Sequence, residues 1–166
     1  MRRFALFLLI SFASVISYGQ APLSPGKIQI NGGLGLGSGV IPVFVGFDYG
    51  IQDQITAGAE LSYWRESYRY LGGSFSLSVI GIGAHGNYHF GKVLDLDSNI
   101  DLYAGLNLGY YVVNSSNSFG GSSSGLGLGG QLGGRYFFKD NLGVLVEFGG
   151  GTYISNGKVG LTFLLN

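Results

Sequence analysis

Chemistry in this chain would have to start from His85 and His89, which stand at i and i+4. In an extended strand that spacing puts both imidazoles on one face. Two such ligands can share a metal only with a third, and zinc sites draw it from Cys, His or carboxylate. No acidic residue adjoins either histidine in sequence, and the chain has no cysteine. The pair therefore reads as polar residues of a strand face. No catalytic residue, metal or cofactor is expected. The other candidates are six charged residues inside apolar-patterned segments: Asp48, Glu60, Asp101, Arg135, Glu147 and Lys158. What they do depends on the elements that hold them.

Composition narrows those elements. Of 166 residues 32 are glycine, where about 7% is usual, and Tyr and Phe number 11 and 12. Charged residues make up 11% of the chain, against roughly 25% in a soluble domain. Nine basic and nine acidic residues balance, so no basic excess exists to neutralise nucleic-acid phosphates. The missing cysteines exclude a disulfide scaffold. With 46% hydrophobic residues, disorder is excluded as well.

Residues 1–19 read as a secretory signal peptide. Arg2 and Arg3 precede an uncharged apolar run from Phe4 to Ile16, and Ser17-Tyr18-Gly19 places small residues at the first and third positions. The run is shorter than the ~20 residues of a spanning helix. Cleavage is expected after Gly19, leaving residues 20–166 as one barrel domain with a slight acidic excess. No cysteine follows the run, so lipoprotein-type anchoring is not expected.

Beyond residue 26 the pattern has period two, the signature of strands. Eight segments alternate. In the first, Ile28, Ile30, Leu34 and Leu36 oppose Gln29, Asn31, Gly33 and Gly35. In the fifth, Ile100, Leu102, Ala104, Leu106, Leu108, Tyr110 and Val112 oppose Asp101, Tyr103, Gly105, Asn107 and Gly109. The others run over 43–51, 55–63, 80–90, 126–138, 142–151 and 158–165. At roughly 9–15 residues, these lengths suit strands that cross a bilayer at a tilt. One irregularity stands out. Phe75, Leu77 and Val79 fall out of phase with Ile80 and Ile82, and a β-bulge near Val79 is expected to switch the faces.

The charges choose between architectures. Without Arg2 and Arg3, ten charged residues fall at strand mouths, turns or loops: Lys27, Asp53, Arg65, Glu66, Arg69, Lys92, Asp95, Asp97, Lys139 and Asp140. The six strand-interior charges all lie in the small, polar phase. A soluble barrel turns its apolar phase inward and would crowd the other with Lys, Glu and Thr. Here the other phase is crowded with glycine. A transmembrane barrel inverts the arrangement, with apolar residues toward lipid and polar residues toward the lumen. Eight strands leave room only for side chains, and closure removes every edge, as lipid requires. The expected fold is thus all-β, an eight-stranded antiparallel transmembrane β-barrel. Tyr88, Phe90, Tyr136, Phe138 and Phe163 would form one aromatic rim, with Tyr63 and Tyr110 near the other. Inside, Asp48, Glu60, His85, Arg135, Glu147 and Lys158 are expected to form a lumen charge network, because isolated buried charges are too costly. Arg135 and Glu147, across one hairpin, are close in register.

The C-terminal residues Lys158-Val159-Gly160-Leu161-Thr162-Phe163-Leu164-Leu165 are similar to the assembly signal of outer-membrane barrels. Gly134 to Gly143 resembles the strand–turn–strand common in them. On these segments residues 27–166 resemble the small OmpA/OmpX-like, porin-like outer-membrane barrels of Gram-negative envelopes. Leu165 departs from the commoner Phe, and Asn166 follows it. The resemblance implies that Lys158, Gly160, Phe163 and Leu165 are read by the barrel-assembly machinery. It also implies short periplasmic turns at 52–54, 91–99 and 139–141, and outer loops at 37–42, 65–74, 114–124 and 154–157. Lipid-modifying relatives use Ser, His and an acid near the outer rim. His85 and His89 fall toward the opposite end, and Asn87 and Gly91 stand where a serine two places on would be needed. The expected role is structural or surface-interacting, with little or no conductance, in the outer membrane of a Gram-negative bacterium. Expected partners are outer-membrane lipid, lipopolysaccharide and the assembly machinery, with no nucleic acid and a monomeric state. A narrow pore for ions or small solutes is the alternative. A soluble secreted barrel binding an apolar ligand is a third.

Overall fold

A computed structural model describes residues 23–37, 40–70, 73–115, 123–151 and 156–165. The signal-peptide residues lie outside this set. Eight strands run in chain order: β1 (Ile28–Leu36), β2 (Val43–Gln52), β3 (Ile55–Tyr70), β4 (Gly73–His89), β5 (Ile100–Ser115), β6 (Ser123–Lys139), β7 (Leu142–Gly151) and β8 (Asn156–Leu165). Each pairs antiparallel with the next, and β1 pairs with β8 to close the barrel. A single helical turn, α1 (Gly91–Leu94), occupies the β4–β5 connection, expected as a plain turn.

The two phases separate as the alternation requires. Outward residues include Leu106, 74% exposed, and Leu126 and Leu128, each 67% exposed. The inward phase holds Gln29, Asn31, Asp48, Thr56, Asn87, His89, Asp101, Gln131, Arg135, Glu147 and Thr162, all buried. A soluble barrel built around an apolar ligand would show the opposite arrangement. Buried apolar groups among the described residues are few, chiefly Phe44, Tyr103 and Leu145.

The expected bulge near Val79 does not occur. The β3–β4 register runs unbroken through Tyr63↔Ile80, Trp64↔Val79 and Arg65↔Ser78. Polarity changes along the wall instead. Through Tyr63 and Ile80 the outer face is apolar. One step higher it is polar, with Arg65 paired to Ser78 and Ser78 to Asn114. On the inner face of the same stretch Trp64 pairs with Val79 and Val79 with Val113. The upper wall therefore has the polarity of a sheet bathed in water, apolar within and polar without. Val79 is in phase with the inner face throughout. The expected loops at 65–74 and 114–124 are corrected accordingly. Residues 65–70, 73–74, 114–115 and 123–124 are strand, and 71–72 and 116–122 lie outside the described residues. Register shifts occur beside two short turns, between Gly50 and Gln52 and between Phe137 and Lys139.

The wall is uneven in height. Strands β3 to β6 have 16 or 17 residues, while β1, β2, β7 and β8 have 9 or 10. At the short-turn end, the residues before β1 fold against the mouth. Gly26, at φ 81°, turns the chain there, and its N–H donates to Gly50 O at 2.8 Å. Gly50 faces inward, and a Cβ on it would stand 2.3 Å from Ser24 O. Leu23 is buried in this segment.

Candidate functional site

The inward side chains form two linked clusters. In the lower one, Arg135 on β6 donates from Nη1 to Asp101 Oδ2 and from Nη2 to Asp48 Oδ2, each at 2.8 Å. Asp101 is its direct cross-strand partner, whereas Asp48 stands on β2, on the far side of the eight-stranded ring. Turned so that its carbonyl oxygen meets the guanidinium, the Gln29 amide accepts from Arg135 Nε at 2.9 Å. Each carboxylate is held further. Asp48 Oδ1 accepts from His85 Nε2 at 2.7 Å, and Asp48 Oδ2 from Asn31 Nδ2 at 2.7 Å. Asp101 Oδ1 accepts from His89 Nδ1 at 2.7 Å. His89 Nε2 lies within hydrogen-bond distance of the Thr56 hydroxyl, at 3.0 Å. Thr162 Oγ1 donates to Asn31 Oδ1 at 2.8 Å.

The upper cluster centres on Lys158 of β8. Its ammonium donates to both oxygens of Glu60 at 2.7 and 2.8 Å and lies 3.1 Å from Glu147 Oε1. Tyr103 joins the clusters. Its hydroxyl donates to Glu147 Oε2 at 2.8 Å, and its ring lies beneath the guanidinium, 4.2 Å from Arg135 Cζ to the centroid. A neutral seam runs beside them, from Asn107 to Gln131 at 3.0 Å and from Gln131 to Asn87 at 2.7 Å.

Glycine makes these reaches possible. His85 and Asp48 lie on either side of Gly58 in one cross-strand row, and their bond passes over it. Tyr103 and Glu147 flank Gly133 in the same way, and Asn87 and Gln131 flank Gly105. A Cβ on Gly58 would stand 2.5 Å from His85 Nε2, and one on Gly133 would stand 2.3 Å from Tyr103 Cζ. The abundance of inward glycine thus has a local cause. In each of these three rows the position between the two partners is a glycine, which leaves the space across which they meet.

All six expected network residues face inward. Asp48, His85 and Arg135 are brought together, as are Glu60, Glu147 and Lys158. Arg135 and Glu147 do not pair, although the expected closeness of register holds: Glu147 lies opposite Gly133, two residues from Arg135. Asp101 and His89 belong to the site and were not placed in it from sequence. Asp101 carried the signal, as a strand-interior acid facing the Arg135 position across the β5–β6 hairpin. Of the assembly-signal positions, Lys158 and Gly160 face inward, and Phe163 and Leu165 face outward. Among the described residues no group of three His, Cys, Asp or Glu is arranged to hold a metal.

Above the upper cluster lies a cavity of about 290 Å³. Trp64, Val79, Val113 and Phe44 give it apolar walls, and Glu60, Glu147, Lys158 and His85 lie at its base. Below it, Asp48, Asp101, Tyr103 and Arg135 are each less than a twentieth exposed.

Comparison with known proteins rests on structure. No family model matches the chain, and no curated protein matches in sequence. Solved structures do. The outer-membrane protein OprG of Pseudomonas aeruginosa superposes with a TM-score of 0.60 at 13% identity, over 88% of this chain and 99% of that one. The N-terminal barrel of OprF from the same organism gives 0.58 at 17%, over 85% and 98%. Neisserial surface protein A gives 0.58 at 15%, over 84% and 95%. The fold is that of the small eight-stranded outer-membrane barrels. At these identities the likeness extends to the architecture and not to any one activity.

Proposed function

We propose that this protein is an integral outer-membrane barrel of a Gram-negative bacterium, with a structural or surface-interaction role and little or no conductance. The observation that carries the reading is Arg135, buried and held from opposite walls by Asp101 and Asp48. Ions crossing the barrel would have to break those pairs, and breaking a buried pair costs about 3–5 kcal/mol. The folded segment before β1, against the lower mouth, adds to the obstruction. The apolar outer face supports insertion in lipid, and the polar outer rows above Tyr63 and Ile80 suit the side where long strands leave it. One structural neighbour is itself named a surface protein.

The same reading assigns short turns to the periplasm, lipopolysaccharide and lipid to the outer face, and a monomeric state. It gives Lys158, Gly160, Phe163 and Leu165 to recognition by the assembly machinery, and no enzymatic activity to the chain. Two measurements test it. Membrane fractionation with a heat-modifiability gel should place the protein in the outer membrane, with a mobility shift on boiling. Planar-bilayer recordings of the unmutated protein should show near-zero conductance. Recovery from the soluble periplasm with no mobility shift overturns the membrane assignment, and stable open channels replace the closed barrel with a narrow pore.

A further inference from the structure

The cavity above the network is built differently from the lumen beneath it. Its walls are apolar at the level where the outer face of β3–β5 has already turned polar. Trp64, Val79 and Val113 form one continuous inner row there. An apolar inner surface outside the bilayer gains stability only if something apolar covers it. The low strands β1, β2, β7 and β8 end well short of β3–β6, and among the described residues the apolar cover from that side is chiefly Val40, Pro42 and Phe44.

The base of the cavity is unbalanced in charge. Among the described residues, Glu60 and Glu147 both direct their ion pairs to the single ammonium of Lys158. Of the other titratable groups in the lining, His85 is committed to Asp48, and Tyr111 contributes a phenol rather than a cation. Glu66 stands on the inward phase of β3, one inward position above Trp64. Arg65 lies in the opposite phase and is exposed, so it does not compensate from within. Lys158 and Glu60 keep about a fifth of their side-chain surface accessible, whereas Arg135 and Asp48 below are sealed. A carboxylate that shares its cation, is reachable from the mouth and lies beneath aromatic walls favours a ligand bearing positive charge. Phe44 already holds the Lys158 ammonium 5.2 Å from its ring centroid, so the walls accept a cation at their faces.

We propose that this cavity is a binding site for a small organic ammonium ion with an apolar body. The ammonium pairs with the surplus charge of Glu60 and Glu147, and the apolar body lies against Trp64, Val79 and Val113. At about 290 Å³ the cavity is at the lower end of small-molecule sites, which limits the ligand to roughly one ring or a short chain. The site does not depend on whether the barrel conducts.

Trp64 is the one tryptophan of the chain and forms part of the wall, so its fluorescence reports occupancy directly. Full-length protein folded in zwitterionic micelles would be titrated with 2-phenylethylammonium, 2-phenylethanol and phenylacetate, which share a ring and differ in charge. The expected result is a saturable Trp64 change with the ammonium, at least tenfold tighter than with phenylacetate and with the alcohol between. Glu60→Gln should weaken the ammonium about tenfold while the heat-modifiability gel still shows a folded barrel. Should that variant fail to fold, Val79→Phe, which fills the cavity and leaves every charge in place, should abolish binding of all three. Equal responses to the three probes, tighter binding of phenylacetate, or no saturable response overturns the proposal. So does ammonium affinity unchanged in folded Glu60→Gln or in Val79→Phe.

Discussion

Arg135 and Tyr103 are stacked, with the guanidinium carbon 4.2 Å above the ring centroid, and this contact joins the two halves of the lumen network. From one side of the ring Arg135 reaches Asp101 and Asp48. From its edge the Tyr103 hydroxyl reaches Glu147 and, through it, Lys158 and Glu60. The lumen is therefore crossed by one connected set of charges rather than by separate pairs.

Removing Arg135 should be the most disruptive single change in that set. Arg135→Ala leaves Asp48 and Asp101 facing each other without the charge that holds them. Breaking a buried pair in this way costs about 3–5 kcal/mol. Urea unfolding in lipid vesicles should show a loss of that order. Water entering to solvate the acids should also raise planar-bilayer conductance above that of the parent. A variant as stable and as silent as the parent would show that the network neither holds nor closes the barrel.

Gly133 tests the cross-strand rows. A methyl group there meets the Tyr103 ring, with Cζ at 2.3 Å, and no backbone atom is among its nearest neighbours. Gly133→Ala should cost about 1–3 kcal/mol through overpacking. Because the obstacle is one side chain, Tyr103→Leu in the same molecule should recover part of the loss. If the two changes add with no recovery, the glycine is needed for its backbone and not for the space it leaves.

Much of this was legible in the sequence, for reasons that differ by feature. The strand phases were clear because lipid on one face and a packed lumen on the other leave few residues ambiguous. Partners across the lumen were not. Spacing along a chain says that Arg135 and Glu147 are near in register, but only closure of the ring brings Asp48 of β2 to Arg135 of β6. Asp101 is visible in the sequence as an inward acid, but its pairing with Arg135 is shown only by the β5–β6 register, which sets the two opposite each other. Leu77 and Val79 defeat a single-phase reading of β4 because the two faces exchange polarity above Ile80. On the proposed membrane reading the strand outruns the bilayer, so its apolar phase changes sides with no change in backbone.

That transition predicts opposite outcomes for one substitution at two heights. Leu106 is 74% exposed in the middle of the apolar band. Leu106→Arg should cost roughly 2–4 kcal/mol in lipid vesicles if it reaches the midplane. Ser78 is also in the outward phase, but its row contains Arg65 and Asn114. Ser78→Arg should be close to neutral. Equal costs at both positions would place the bilayer boundary elsewhere on the wall.

The joint at Tyr103 can be divided into its two contributions. Tyr103→Phe keeps the ring under Arg135 and removes only the donor to Glu147. Hydrogen bonds to charged groups contribute about 1.5–3 kcal/mol, so a stability loss within that range is expected. Conductance should stay near zero, because Asp48, Asp101 and Arg135 keep their mutual bonds. Once the hydroxyl is gone, Glu147 relies on Lys158 alone, 3.1 Å away. Lys158→Met should therefore destabilise Tyr103→Phe more than it destabilises the parent, since residues of one network are not additive. A double-mutant cycle read by urea unfolding measures that excess directly. A coupling energy of zero would mean that the upper and lower clusters act separately and that Tyr103 does not join them.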